Sequence, residues 1–158
     1  MVVFKLKPTK KSIPWFKEHD IDVHAMETAI TLLFAEFEPS LTVRRKVITI
    51  QVIYGGKQST YTFKTDKIHI CDEPYTRVYS TKQKKIEIFK TFLHEFRHWM
   101  QSRIYKVGVS EFNYTDEDVE DNTNAYYRNK HEIDARQFER AYITKFCRYY
   151  RYVNKKIA

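Results

Sequence analysis

Hydrophobic and polar positions change their period three times along the chain. Val23, Met26, Ile30, Leu33, Phe34 and Phe37 recur at intervals of three and four, which puts one apolar face on a helix. Asp20 or Asp22 can cap that helix, and Pro39-Ser40 ends it near Glu38. Over residues 42–54 the period falls to two and β-branched residues dominate, so the stretch predicts a strand. Gly55-Gly56 then reads as a hairpin turn, 58–63 as a second strand, Asp66-Lys67 as another turn and 68–71 as a third short strand. The expected product is a small antiparallel meander, ended by Asp72-Glu73-Pro74. Ahead of the first helix, residues 2–7 alternate and predict a short strand. Residues 8–19 are basic, carry Pro8 and Pro14, and read as an extended lead-in.

The helical period returns after Ser80, which forms an S-x-x-Q capping box with Gln83. From there to about Lys106, Ile86, Phe89, Leu93, Phe96, Met100 and Ile104 form one stripe, and Ile88, Phe92 and Trp99 a second. A helix apolar over most of its circumference belongs in the middle of a domain. The narrow face left over carries His94 and His98, with Thr91 and Gln101 nearby. Residues 107–124 are polar and acidic and predict a solvated loop. Asp116, Asp118 and Glu120 have calcium-loop spacing, but Asp121 at the sixth position and Tyr127 at the twelfth argue against an EF-hand. A last helix should begin between residues 122 and 130 and run to about Val153. Its apolar spacing is Ile133, Phe138, Ala141, Tyr142, Phe146, Tyr149 and Val153; its other surface is basic.

The chain of 158 residues suits one α+β domain spanning 1–158. The net charge of +8 admits a polyanionic partner such as nucleic acid through the basic last helix, although a solvated lysine-rich surface accounts for it more simply. Cys71 and Cys147 are too few for a disulfide framework or a cysteine zinc site. No signal peptide and no membrane-length apolar run is visible, so a cytoplasmic protein with no membrane partner is expected.

The chemistry concentrates in His94-Glu95-Phe96-Arg97-His98, an H-E-x-x-H pattern. On a helix, His94 and His98 lie one turn apart on one face, so both imidazoles can reach one metal ion. Glu95 beside them can take a proton from water activated by that metal. A catalytic zinc needs a third protein ligand, and the start of the last helix offers His131, Glu132 and Asp134. Glu132 is preferred because it shares a face with Ala135 and Arg136, and small Ala135 would let two helices approach closely. Ile133 is expected to point to the core. Tyr126, Tyr127, His131 and Arg136 are candidates to stabilise an oxyanion. His24 and His69 read as ordinary polar positions.

Residues 93–101, followed by 132–139, resemble small phage- and bacteria-encoded zinc peptidases of a minimal gluzincin-like type. Those carry an H-E-x-R-H-x-x-Q helix and a later E-x-D/E-A-x-x-F/Y element, which is also similar to the E-x-E-A-x-x-F-A element of ImmA/IrrE peptidases. The resemblance implies a minimal zincin-like fold, with an antiparallel-rich sheet packed on an N-terminal helix, the central motif helix and a ligand-bearing C-terminal helix. It implies His94, His98 and Glu132 as Zn2+ ligands, Glu95 as catalytic acid/base, and a metallopeptidase acting on peptide in a phage or bacterial host cytoplasm. Two positions depart from the pattern. Arg97 brings a charge into the motif, where it is expected to face solvent or an acidic substrate group. Arg136 stands four residues after Glu132, where many gluzincins place an Asp, so Asp134 or Glu139 is expected to orient a histidine instead. An edge strand over 67–71 could take an extended peptide by strand addition. A zincin fold kept for binding, or for association with nucleic acid, is the competing expectation.

Overall fold

A computed structural model describes residues 2–38, 46–54, 60–62, 66–70, 81–112, 114–121 and 123–157. The predicted strand start at 42–45, the Gly55-Gly56 turn, Cys71, the Asp72-Glu73-Pro74 stop and Ser80 of the capping box lie outside the described residues. In chain order the elements are β1 (Val2–Pro8), α1 (Ile13–Glu18), α2 (Val23–Phe37), β2 (Lys46–Tyr54), β3 (Thr60–Thr62) and β4 (Lys67–Ile70). Then come α3 (Thr81–Arg103), a 3₁₀ turn (Val109–Glu111), α4 (Asp116–Glu120), α5 (Asn124–Tyr127) and α6 (Lys130–Ile157). Helices beside one small sheet are compatible with the α+β class.

The sheet corrects the expected meander. Its order is β1-β2-β4-β3, with β1 and β2 parallel, β2 and β4 parallel, and only β3 and β4 antiparallel. Alternation of apolar and polar residues reports that one face is buried; it does not report strand direction. Val2, Phe4 and Leu6, Ile50 and Val52, and Ile68 and Ile70 all point into the core. Between β1 and β2 the chain runs through α1 and α2, and such a helical crossover returns the next strand parallel to the first. β2 and β3 are not neighbours, because β4 lies between them. The expected edge strand over 67–71 is, in its described part β4, interior, and β3 takes the edge.

The opposite edge is β1, and α2 covers it. Phe4 N donates to Thr31 Oγ1 at 3.0 Å and Leu6 N to Glu27 Oε2 at 2.9 Å. Two edge amides thus end on side chains one helical turn apart. The Asp22 side chain caps α2 by accepting from His24 N and Ala25 N. The expected lead-in over 8–19 contains α1 instead. Pro14 falls in the first turn of that helix, where a missing N–H costs nothing, and Trp15 and Phe16 are buried. The Trp15 ring stacks on Tyr54 with centroids 3.9 Å apart.

Phe4 is fully buried at the centre, with Phe34, Phe96 and Trp99 ring centroids 5.1, 5.1 and 5.4 Å away. These edge-on contacts join β1, α2 and α3 into one aromatic core. Asp66 ties the sheet to the end of α3: its Oδ1 accepts from Trp99 Nε1 at 2.9 Å and Arg103 Nε at 2.8 Å. Along α3, Ile88, Phe89, Phe92, Leu93, Phe96, Trp99 and Met100 are all buried, as the two stripes predict. On α6 the buried set is Ala135, Phe138, Phe146, Cys147 and Tyr150. Ile133 and Ala141, expected in that stripe, are exposed. The face toward α3 is set by Glu132, Ala135 and Phe138, which rotates Ile133 outward. No helix among the described residues is long and apolar enough to cross a membrane.

Candidate metal centre

The middle of α3 presents His94 and His98 toward the first turn of α6, where Ala135 is fully buried and leaves room between the helices. His94 Nε2 lies 3.0 Å from Glu132 Oε2, His98 Nε2 lies 3.0 Å from Glu132 Oε1, and the two Nε2 atoms are 3.2 Å apart. Ligand atoms around a tetrahedral zinc, with bonds of about 2.0–2.1 Å, stand about 3.3 Å from one another. Each imidazole thus meets one oxygen of the same carboxylate near that spacing, and one ligand atom from each of the three buried residues lies within 4.8 Å of the others. Of the three proposed third ligands, Glu132 alone meets both imidazoles among the described residues. His131 leans on Phe112 with its Nε2 3.6 Å from Glu111 Oε1, and Asp134 is engaged with Arg97 and Gln101. A divalent metal with a preference for nitrogen and oxygen donors fits this set.

Each histidine is also held from behind. His94 Nδ1 lies 3.1 Å from Glu139 Oε2, and His98 Nδ1 lies 2.8 Å from Gln101 Oε1. A donor Nδ1–H at each ring would leave Nε2 as the atom offered to a metal. The Gln101 amide nitrogen in turn donates to Asp134 Oδ2 at 2.9 Å and to the His131 carbonyl at 3.0 Å. Asp134 accepts from Arg97 as well, at 2.7 Å from Nε and 3.2 Å from its terminal nitrogen. Arg97 therefore neither faces solvent nor awaits a substrate acid. Its guanidinium bridges α3 to α6, packed over the rings of Phe138 and Tyr105. Replacing Gln101 by Ala is expected to weaken binding of a divalent metal at this cluster roughly 10- to 100-fold, read by competition with a chelating indicator.

Glu95 is buried, 4% exposed. Burial raises its carboxyl above the usual range, while His94 and His98 pull it the other way. A carboxyl shifted in that direction holds a proton more readily than an exposed one, which suits a group that is to accept one from water. Tyr126 is half-buried and senses the charges of Glu132 and Glu95; burial and those carboxylates push its phenol up. Tyr127 is 52% exposed and lies under the Arg136 guanidinium, which also donates to the Tyr127 carbonyl. The structure thus brings Tyr126 toward the site and turns Tyr127 outward.

Two residues on the site come from the segment expected to be a solvated loop. The Tyr114 hydroxyl donates to Glu132 Oε1, and the Phe112 ring lies edge-on to His98 with centroids 5.5 Å apart. Their signal was two aromatics in an otherwise polar stretch, which water alone does not explain. The acidic residues beyond them do local work: Thr115 and Asp118 form a capping box on α4.

Without metal the cluster stores a proton. Burial alone would lower His94, but the hydrogen bonds to Glu132 and Glu139 push it up to about 10. Burial would raise Glu132, yet the bonds from His94 and His98 hold it well below the carboxylate range. At pH 7 His94 is then an imidazolium, and a metal must displace that proton. Titration with a divalent metal at pH 7 is expected to release the His94 proton on binding, measured calorimetrically in buffers of different ionisation enthalpy. No protein-family model, no curated protein and no solved structure matches the chain.

Proposed function

We propose that the protein is a zinc-dependent metallopeptidase of the gluzincin-like type that the motif resembles. The observation that carries this reading is the convergence of His94, His98 and Glu132 at 3.0–3.2 Å, with Glu95 buried beside them. When bound, the metal supplies Lewis acidity, activating water and polarising the scissile carbonyl. Glu95 accepts the proton of the attacking water and delivers it to the leaving amine. Tyr126, half-buried and under the influence of Glu132 and Glu95, is the candidate to donate to the developing oxyanion. Glu139 and Gln101 keep the two imidazoles oriented throughout. An extended peptide would add to the outer edge of β3.

Hydrolysis of an unstructured protein such as casein is expected to stop on treatment with a zinc chelator and to return with one equivalent of zinc. Hydrolysis indifferent to chelation would remove the reading. A second reading, a metal site kept for binding, is favoured by one observation: Phe112 and Tyr114 cover the metal face, leaving His98 and Glu132 6% and 2% exposed. Stoichiometric zinc without turnover on any unstructured substrate selects it.

A further inference from the structure

A cavity of about 400 Å³ opens away from the metal centre, between the start of α3 and the last third of α6. Ile86 and His94 are eight positions apart on α3, about 12 Å along the helix axis. The floor is apolar, made by Ile86, Phe89 and Tyr150, and Cys147 also lines it. Lys82, Lys85 and Arg151 stand at the rim. Among the described residues that line it, Asp20 is the lone carboxylate and is taken by Lys85, with Nζ to Oδ2 at 3.0 Å. Among the described residues neither Lys82 nor Arg151 has a carboxylate partner.

The charge at this rim runs against the fold's own electrostatics. The N-terminal turn of a helix favours acidic side chains. α3 has none there and instead begins Thr81-Lys82-Gln83-Lys84-Lys85. Lysines stacked on the positive end of a helix raise the local potential, with Arg151 of α6 added across the opening. An anion bound at the rim would relieve that repulsion. The apolar floor beneath asks for a hydrocarbon or aromatic body on the same molecule.

We propose that this cavity binds a small monocarboxylate with an apolar tail of medium length, head at Lys82 and Arg151, tail against Ile86, Phe89 and Tyr150. A volume of this size accommodates a ligand of roughly ten to fifteen heavy atoms. The site is independent of the metal chemistry.

Calorimetric titration of the whole protein with octanoate is expected to show one saturable site, with octylammonium silent and octanol at least ten-fold weaker. The double variant Lys82→Glu/Arg151→Glu should weaken octanoate at least ten-fold while keeping its zinc content. Ile86→Trp, which fills the floor from a partly buried position, should remove binding; circular dichroism checks that both variants fold. No saturable heat with octanoate, equal binding by octanol, or unchanged affinity in the charge-reversed variant would each overturn the proposal.

Discussion

Glu95→Gln is expected to keep its zinc and lose peptide hydrolysis by roughly 100- to 10,000-fold, the usual contribution of a positioned general base. The amide matches the carboxylate in shape, so the buried position beside His94 and His98 stays filled. What it cannot do is accept the proton of water. The pairing of the two readouts matters, because metal content measures the cluster and turnover measures Glu95. Unchanged turnover at full zinc would mean that Glu95 has no part in the chemistry. Loss of zinc in this variant would mean that the glutamate holds the cluster rather than serving it.

Glu132→Ala is the second large effect. Its carboxylate meets both histidines and accepts from Tyr114, so the variant loses one ligand and strands three partners at once. Zinc per chain is expected to fall below roughly one tenth of an equivalent, since two histidines alone make a poor site. In metal-free protein the same change should cost about 3 kcal/mol, as when one partner of a buried ion pair is removed. The pH dependence follows from the direction of each shift. His94 is raised above its ordinary 6.5, so its share is present below 6.5 and fades as pH rises toward about 10. Glu132 is lowered from 4.5, so its share is present above 4.5 and fades in acid. The stability gap between wild type and variant should therefore be widest from pH 4.5 to 6.5 and shrink toward pH 10. Denaturant titrations at pH 5.5 and 9.5 compare the two; an equal gap at both would contradict the His94–Glu132 pairing.

The geometry at His94, His98 and Glu132 was legible because helical spacing is a strong local rule and because small Ala135 marks a close approach. Glu139 was within reach of the same reasoning, seven residues and two turns beyond Glu132. Gln101 was visible as a neighbour of the histidines, but its bond to His98 depends on a rotamer that spacing does not set. Tyr114 was hidden, since a loop residue meets the site only through the path of the backbone between α3 and α6. Strand direction in the sheet was misread for a related reason. Periodicity records which face is buried, and β1, β2 and β4 bury the same face whichever way they run. The helical stretch between β1 and β2 held the missing information about direction. Arg97 reads as a functional anomaly in the sequence because its partner, Asp134, stands 37 residues away on another helix, beyond the reach of local spacing.

Thr31 and Glu27 lie along one side of the sheet, while among the described residues nothing pairs with the far side of β3. That asymmetry makes the two edges of the sheet unequal. A strand arriving at β3 can extend the sheet, but no second molecule can continue from β1 without first displacing two α2 side chains. Edge-to-edge pairing with another chain is therefore blocked at β1 and left to β3 alone.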